Sequence, residues 1–116
     1  MAERTTLSWT TVPHFFLSRE VDATALNAAR DAARGVSHTD LLVSRVAGAL
    51  AKHPRMNASW AANAVRTHRE INVAIAIAVD DAVVTGVIHG ADRLSLTAVA
   101  SRRRELAARA RAGPGP

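Results

Sequence analysis

The stretch Ser37-His38-Thr39-Asp40-Leu41-Leu42-Val43-Ser44-Arg45-Val46-Ala47-Gly48-Ala49-Leu50-Ala51-Lys52-His53-Pro54 decides how the rest of the chain is read. Ser37 and Asp40 stand three residues apart, the spacing at which a serine hydroxyl and an acidic side chain each satisfy a backbone N–H of the first helical turn. Leu42, Val46, Ala49, Leu50 and His53 then recur at helical spacing and define one face, and Pro54 stops the helix because its ring removes a donor and clashes with the preceding turn. Downstream, Ile71 to Val79 alternates bulky residues with Asn72, Ala74, Ala76 and Ala78. That pattern predicts a strand buried on both faces, one face small enough for close approach. Asp80-Asp81 makes a turn into an antiparallel partner over Val83 to Ile88. Ser95 caps a last helix that runs through Leu96, Val99, Leu106 and Ala110. Upstream, Asp22 or Thr24 caps a helix marked by Leu26, Ala29 and Ala33 and stopped by Gly35, and Thr11 to Val21 reads as an edge strand that starts beside Pro13. Helices and strands segregate along the chain, so the predicted class is α+β, with residues 1–112 as one domain and 113–116 as a frayed tail.

The 116 residues are 48% hydrophobic and 22% charged, the composition of a folded domain rather than a disordered or low-complexity one. With no cysteine there is no disulfide framework, thiol nucleophile or Cys-based zinc site. No apolar run approaches the roughly 18 residues of a membrane span, and Met1 to Thr6 lacks the apolar core of a signal peptide, so the expected location is the cytoplasm, with no membrane partner. The net charge of +5 is local: residues 1–100 carry ten Lys/Arg against nine Asp/Glu, and residues 101–116 carry five Arg against one Glu. This disfavours a nucleic-acid partner. Arg102, Arg103, Arg104, Arg109 and Arg111 read as a solvated helix end, with a polyanion or CoA-phosphate site as the functional alternative.

Five histidines carry the candidate chemistry, since imidazole exchanges protons near neutrality. His14, beside Phe15 and Phe16, is the candidate acid/base group if desolvated. His89 and Asp92, in His89-Gly90-Ala91-Asp92, are close enough in sequence for a carboxylate-oriented imidazole. His53 is explained by the helix end, and His38 and His68 read as loop residues. No phosphate-binding glycine loop, nucleophile elbow or metal-spaced His pair is present.

Taken in order, these segments resemble the catalytic domain of the dihydrolipoyl acyltransferases of 2-oxo acid dehydrogenase complexes. Ala2-Glu3-Arg4-Thr5-Thr6-Leu7-Ser8 is similar to that family's A-x-R-M-x-x-S, Val12-Pro13-His14-Phe15 to its I/V-P-H-F, and Glu20-Val21-Asp22 to its E-V-D. Ser37 to Leu42 resembles S-x-T-D-L-L, His53 to Trp60 resembles H-P-x-L-N-A-x-W, and Ile71 to Ala76 resembles I-N-I-G-I-A. The resemblance implies half of a chloramphenicol-acetyltransferase-like fold, with an antiparallel or mixed sheet and helices packed on one face. It places the His14 strand and the Pro54 to Trp60 segment near a substrate channel and trimer contacts, and Phe16, Asn57, Trp60 and Asn72 are the candidate substrate-binding residues.

The departures are as informative. The family's H-x-x-x-D-G motif, whose histidine deprotonates the CoA or lipoamide thiol, has no counterpart here, and His89-Gly90-Ala91-Asp92 has a different spacing. The family's D-G-L-V-V-P-V-I hairpin reads Asp81-Ala82-Val83-Val84-Thr85-Gly86-Val87-Ile88. The favoured expectation is a stand-alone, repurposed enzyme performing a proton transfer or cyclisation in biosynthesis on an acyl or polyketide-like substrate. His14 would be its acid/base, Asn57 or Asn72 would orient a carbonyl, and CoA or a carrier-bound thioester would be the cofactor to consider. The alternative is a non-catalytic partner of a full-length acyltransferase. A fragment without activity is the third reading. Self-association as a dimer or trimer is expected under the first two, because half a domain leaves sheet surface to cover.

Overall fold

The computed structural model describes residues 2–113. Helices α1 (Ala2–Thr11), α2 (Thr24–Ala32) and α3 (His38–Lys52) are followed by a 3₁₀ turn (Pro54–Met56) and a hairpin of β1 (Ala58–Ala61) and β2 (Ala64–Thr67). A longer hairpin of β3 (Val73–Val79) and β4 (Ala82–Ile88), a second 3₁₀ turn (Ala91–Arg93) and α4 (Leu96–Ala112) complete the order. Both hairpins are antiparallel and stand as separate two-stranded sheets.

α3 and α4 pack on one face of the β3–β4 hairpin, and their meeting makes the core: Val43 and Ala47 from α3, Val99 from α4, and Ile71, Ile88 and Ala91 from the hairpin and its flanks. Each fully buried valine or isoleucine there contributes roughly 1.5–3 kcal/mol of transfer free energy. In the β3–β4 register, Ile75 lies opposite Gly86 and Ile77 opposite Val84 on the covered face. Ala74, Ala76 and Ala78 lie opposite Val87, Thr85 and Val83 on the other, which is exposed. The expectation of a strand buried on both faces is thus half right: the small residues allow a close neighbour, and among the described residues none occupies that side.

Two further expectations are corrected. Thr11 to Val21 forms no ladder: α1 continues through Thr11, and the following residues to Ala23 have no regular secondary structure and are exposed. A strand needs a partner whose backbone it can hydrogen-bond, and among the described residues this segment has none. On α3 the buried positions are Asp40, Leu41, Val43 and Ala47, while Leu42 and Val46 of the expected face are 51% and 46% exposed. The helix carries two apolar stripes, and the one that meets α4 and the long hairpin is shifted from the one the periodicity favoured. The frayed-tail expectation falls mostly on residues 114–116, outside the described residues; Gly113 ends α4 with φ 81°.

What fixes the α3 stripe is polar. Ser37 Oγ accepts from the Asp40 N–H at 3.3 Å and the Ser37 N–H donates to Asp40 Oδ2 at 2.9 Å, the reciprocal cap that the spacing predicts. The remaining oxygen, Oδ1, accepts from Arg103 Nε of α4 at 2.6 Å, with the Asp40 side chain fully buried. Burial by itself raises the Asp40 carboxyl. The Arg103 hydrogen bond, the Ser37 backbone and hydroxyl contacts and the Arg103 charge together outweigh it and hold the group below the ordinary carboxylate range.

A second constraint is steric. Gly86 is buried under α4, and a Cβ there would sit 3.2 Å from Leu106 Cβ, Leu106 Cδ1 and Ile77 Cδ1. α4 therefore rides directly on the β4 backbone.

Two predictions follow from these contacts. Replacing Arg103 with Met leaves a buried carboxylate without its counter-charge and lowers unfolding stability by about 3 kcal/mol in urea titrations. Because the Asp40 pKa is lower in the folded than in the unfolded chain, its contribution is fully present above the unfolded value near 3.8 and is lost as pH falls through the folded value. Stability of the parent chain therefore declines below about pH 4, and that decline is shallower in Asp40→Asn.

Candidate functional site

His14 and Phe16 lie on the exposed N-terminal arm, in which none of residues 2–23 is buried or half-buried. The His14 ring stacks on Trp9, with centroids 5.3 Å apart and planes at 30°, so the chain turns back on α1 as it leaves it. No wall encloses the imidazole, and the desolvation that would tune it as a base is absent from this arrangement. Phe16 is 78% exposed, with Phe15 at 82% and Leu17 at 89%.

A different place gathers more of the candidates. Asn57 and Asn72 line one cleft of about 490 Å³ together with Thr67, His68, Arg69 and Glu70. Asn57 leaves the 3₁₀ turn that Pro54 starts, and its Nδ2 donates to the carbonyls of His68 (2.9 Å) and Glu70 (3.2 Å). Its own carbonyl accepts from the His68 N–H at 2.9 Å. Asn57 thus ties the base of the short hairpin to the start of the long one. Asn72 precedes β3, and its Oδ1 accepts from the Gly90 N–H at 3.0 Å. One residue on, the Ala91 N–H donates to the Ile71 carbonyl at 2.8 Å. Gly90 has φ 58°, the left-handed conformation that glycine adopts without Cβ strain, so the turn after β4 is held by residues 71–72. Among the described residues the Asn72 amide nitrogen donates to no protein acceptor, and Asn72 lines the cleft.

His89 Nδ1 faces Glu70 Oε1 at 4.0 Å, both side chains more than half exposed. The structure links His89 to Glu70 and not to Asp92, which sits in the second 3₁₀ turn beside Arg93. No His89–Asp92 contact is made; Asp92 instead lines a small cleft with Arg69, Glu70 and Arg93. Trp60 stands on β1 at 69% exposure.

One pairing escaped the sequence reading. His68 Nε2 and Ser59 Oγ are 2.9 Å apart across the β1–β2 hairpin. The hairpin itself went unread because its two-residue turn is Ala62-Asn63, with φ 52° and 61°. Asparagine tolerates that conformation, but alanine gives no signal of it. The Ser–His contact has the atoms of a nucleophile and a base, yet both residues are exposed, and among the described residues no third group orients the imidazole. It serves as a clasp across the hairpin.

The C-terminal arginines are divided. Arg103 belongs to Asp40, and Arg104 Nη1 donates to the Gly35 carbonyl at 2.9 Å, closing the α2–α3 loop onto α4. Two of the five arginines considered for a phosphate site are thus engaged in the fold. No group of three or more metal-ligating side chains occurs among the described residues, and none of their helices is long and apolar enough to cross a membrane.

Comparison with known proteins gives one family. The model for the 2-oxoacid dehydrogenases acyltransferase catalytic domain matches residues 1–114. A dihydrolipoyllysine-residue acetyltransferase component of the pyruvate dehydrogenase complex from Rickettsia bellii is 32% identical over 120 residues, covering 96% of this chain and 29% of that protein. A probable dihydrolipoamide acetyltransferase from Listeria monocytogenes superposes with a TM-score of 0.91 at 33% identity, covering 99% of this chain and 53% of that one. The cubic core of the pyruvate dehydrogenase multienzyme complex superposes at 0.88 with 30% identity, over 96% of this chain and 50% of that one. The chain spans about half of the solved cores and under a third of the curated relative.

The Asn57 clamp is open to test. Asn57→Ala leaves two carbonyls without their donor at a partly exposed site and lowers stability by about 1–2 kcal/mol. In hydrogen-exchange mass spectrometry, exchange rises in peptides spanning 57–72 before it rises in α3.

Proposed function

Because this chain belongs to the family of 2-oxoacid dehydrogenase acyltransferase catalytic domains, we propose that it works in acyl transfer between a dihydrolipoyl thiol and CoA, as one half of the catalytic domain. The observation that carries this reading is the superposition of almost the whole chain on about half of a solved acetyltransferase core at a TM-score of 0.91. It is supported by the shared motifs around Pro54 and Asn57 and at Asn72.

Acyl transfer between thiols needs little beyond positioning and proton handling. The attacking thiol gives its proton to a base, its sulfur bonds to the thioester carbon, and the tetrahedral oxyanion forms. The old C–S bond then breaks, and the departing thiolate takes up the proton. In our reading this chain supplies the wall of the substrate passage: the Asn57–Asn72 cleft, with the Asn72 amide nitrogen as a donor to a substrate carbonyl. The base comes from the remainder of the domain, carried on further polypeptide. The exposed setting of His14 lends no support to a proton-transfer or cyclisation chemistry centred on it.

The arm supports an assembled working state. Leu7, Trp9, Val12, Phe15, Phe16 and Leu17 are all at least half exposed on a segment that buries nothing against its own body. Such a density of exposed large apolar side chains marks a surface used for association. In our reading the arm docks on a neighbouring copy, as a subunit of an oligomeric core would require.

The test is complementation. The chain alone is expected to show no acetyl transfer from acetyl-CoA to dihydrolipoamide. Co-expressed with the complementary half of the Listeria monocytogenes core, it is expected to form a complex that does. Asn72→Ala in that complex is expected to raise the KM for dihydrolipoamide with a smaller change in kcat. Transfer by the chain alone, or absence of transfer in an assembled complex of the two halves, would contradict the reading.

A further inference from the structure

Along α3 runs a groove of about 400 Å³ that shares no residue with the Asn57–Asn72 cleft or the arm. Arg45 and Lys52 line it, with Gly48 and Ala49 between them on the same side of the helix. Leu41, one turn before Arg45, and Leu96, at the start of α4, add apolar surface. No acid lines the groove. The only acidic residue of α3 is Asp40, which is buried against Arg103. The positions on α3 three and four residues from either cation, where ion pairs form along a helix, hold Leu41, Leu42, Gly48 and Ala49. Among the described residues neither Arg45 nor Lys52 makes a side-chain hydrogen bond or an ion pair. The groove lies about a third of a turn around α3 from Leu42 and Val46, so it is a different surface from the apolar stripe that the body leaves exposed.

Charge and spacing together define what fits. Arg45 and Lys52 are seven residues apart, two helical turns or roughly 10 Å, and they face one way. Two carboxylates at the same interval on a second helix meet both cations at once, and complementary charge of this kind fixes the register of a contact. The space between the cations is open: a Cβ added at Gly48 would meet no atom within 4 Å. Glycine weakens a helix interior relative to alanine, and nothing in this chain packs closely enough to require it there. A helix laid across that point gives the small residue a use. We propose that this groove docks an acidic α-helix of a partner protein, with carboxylates two turns apart on Arg45 and Lys52 and an apolar side chain against Leu41 and Leu96. The contact uses no residue of the arm or of the Asn57–Asn72 cleft, so it stands apart from the acyl-transfer reading.

The test is fluorescence anisotropy on the whole chain with a labelled helical peptide of alanine, leucine and glutamate, its glutamates seven residues apart. Binding is expected, and it is expected to weaken as NaCl is raised, since exposed charges are screened beyond about 10 Å at 0.1 M salt. Arg45→Glu/Lys52→Glu is expected to bind that peptide on the order of tenfold more weakly. The same variant is expected to bind a peptide with lysine in place of glutamate better than the parent does, a gain that an unfolded protein would not show in place of the loss. Gly48→Leu puts a better helix former at an open position, so it is expected to melt no lower than the parent and yet to bind the acidic peptide on the order of tenfold more weakly. The proposal is overturned if the parent does not bind the acidic peptide, or if Gly48→Leu binds it as well as the parent. It is equally overturned if a peptide of the same composition in scrambled order binds equally, which would make the groove a general anion surface, or if charge reversal on both sides restores nothing.

Discussion

The fold depends on one carboxylate. Asp40 closes the N-terminus of α3 with one oxygen and receives Arg103 of α4 with the other, while entirely removed from water. A charge placed there without partners would cost several kcal/mol, so the helix cap and the α3–α4 contact cannot be separated: each supplies part of what makes the other tolerable. Once α3 and α4 are joined at that point, Val43, Ala47 and Val99 face inward, and the long hairpin has a surface on which to lay Ile77 and Ile88. Gly86 then sets how closely that surface can approach. Arg104, one residue on, fastens the α2–α3 loop to the same helix. The cluster of arginines that gives the chain its net charge is therefore in part internal architecture.

This explains what the sequence could and could not reveal. The Ser37/Asp40 cap, the stop at Pro54, the Asp80-Asp81 turn and the Ser95 cap are local hydrogen-bond arrangements specified by residues a few positions apart, and the structure shows each of them. The choice between two apolar stripes on α3 is not local. It is made by Arg103, 63 residues away, and periodicity favoured Leu42 and Val46 where the tertiary contact selects Val43 and Ala47. The Thr11 to Val21 segment has strand composition without a strand partner, so propensity had nothing to act on. The β1–β2 hairpin was hidden by an alanine in a left-handed turn.

The site was legible to a different degree. The family resemblance marked Asn57 and Asn72, and the structure places both on one cleft, each also tying backbone segments together. Residues chosen by chemical type fared differently. His14 lies in the open on the arm, and His89 turns to Glu70 rather than Asp92, because neither sequence proximity nor residue type states where a backbone turn will carry a side chain. What distinguishes this molecule is how its surface is apportioned. A buried polar lock holds the interior, while an apolar arm and an alanine-lined sheet face lie outward. In the proposed reading these are the surfaces that assembly covers.

Hydrogen exchange read by mass spectrometry as a function of protein concentration addresses that claim most directly. An isolated helix of 10 residues is marginal in water, so α1 has no means of protecting its own amides. The account predicts that at high dilution residues 2–23 exchange within seconds while α3, β3, β4 and α4 remain protected as one cooperative unit, and that the arm gains protection as concentration rises. An arm already protected at high dilution, or a core whose α3 and α4 amides exchange independently of one another, would contradict it.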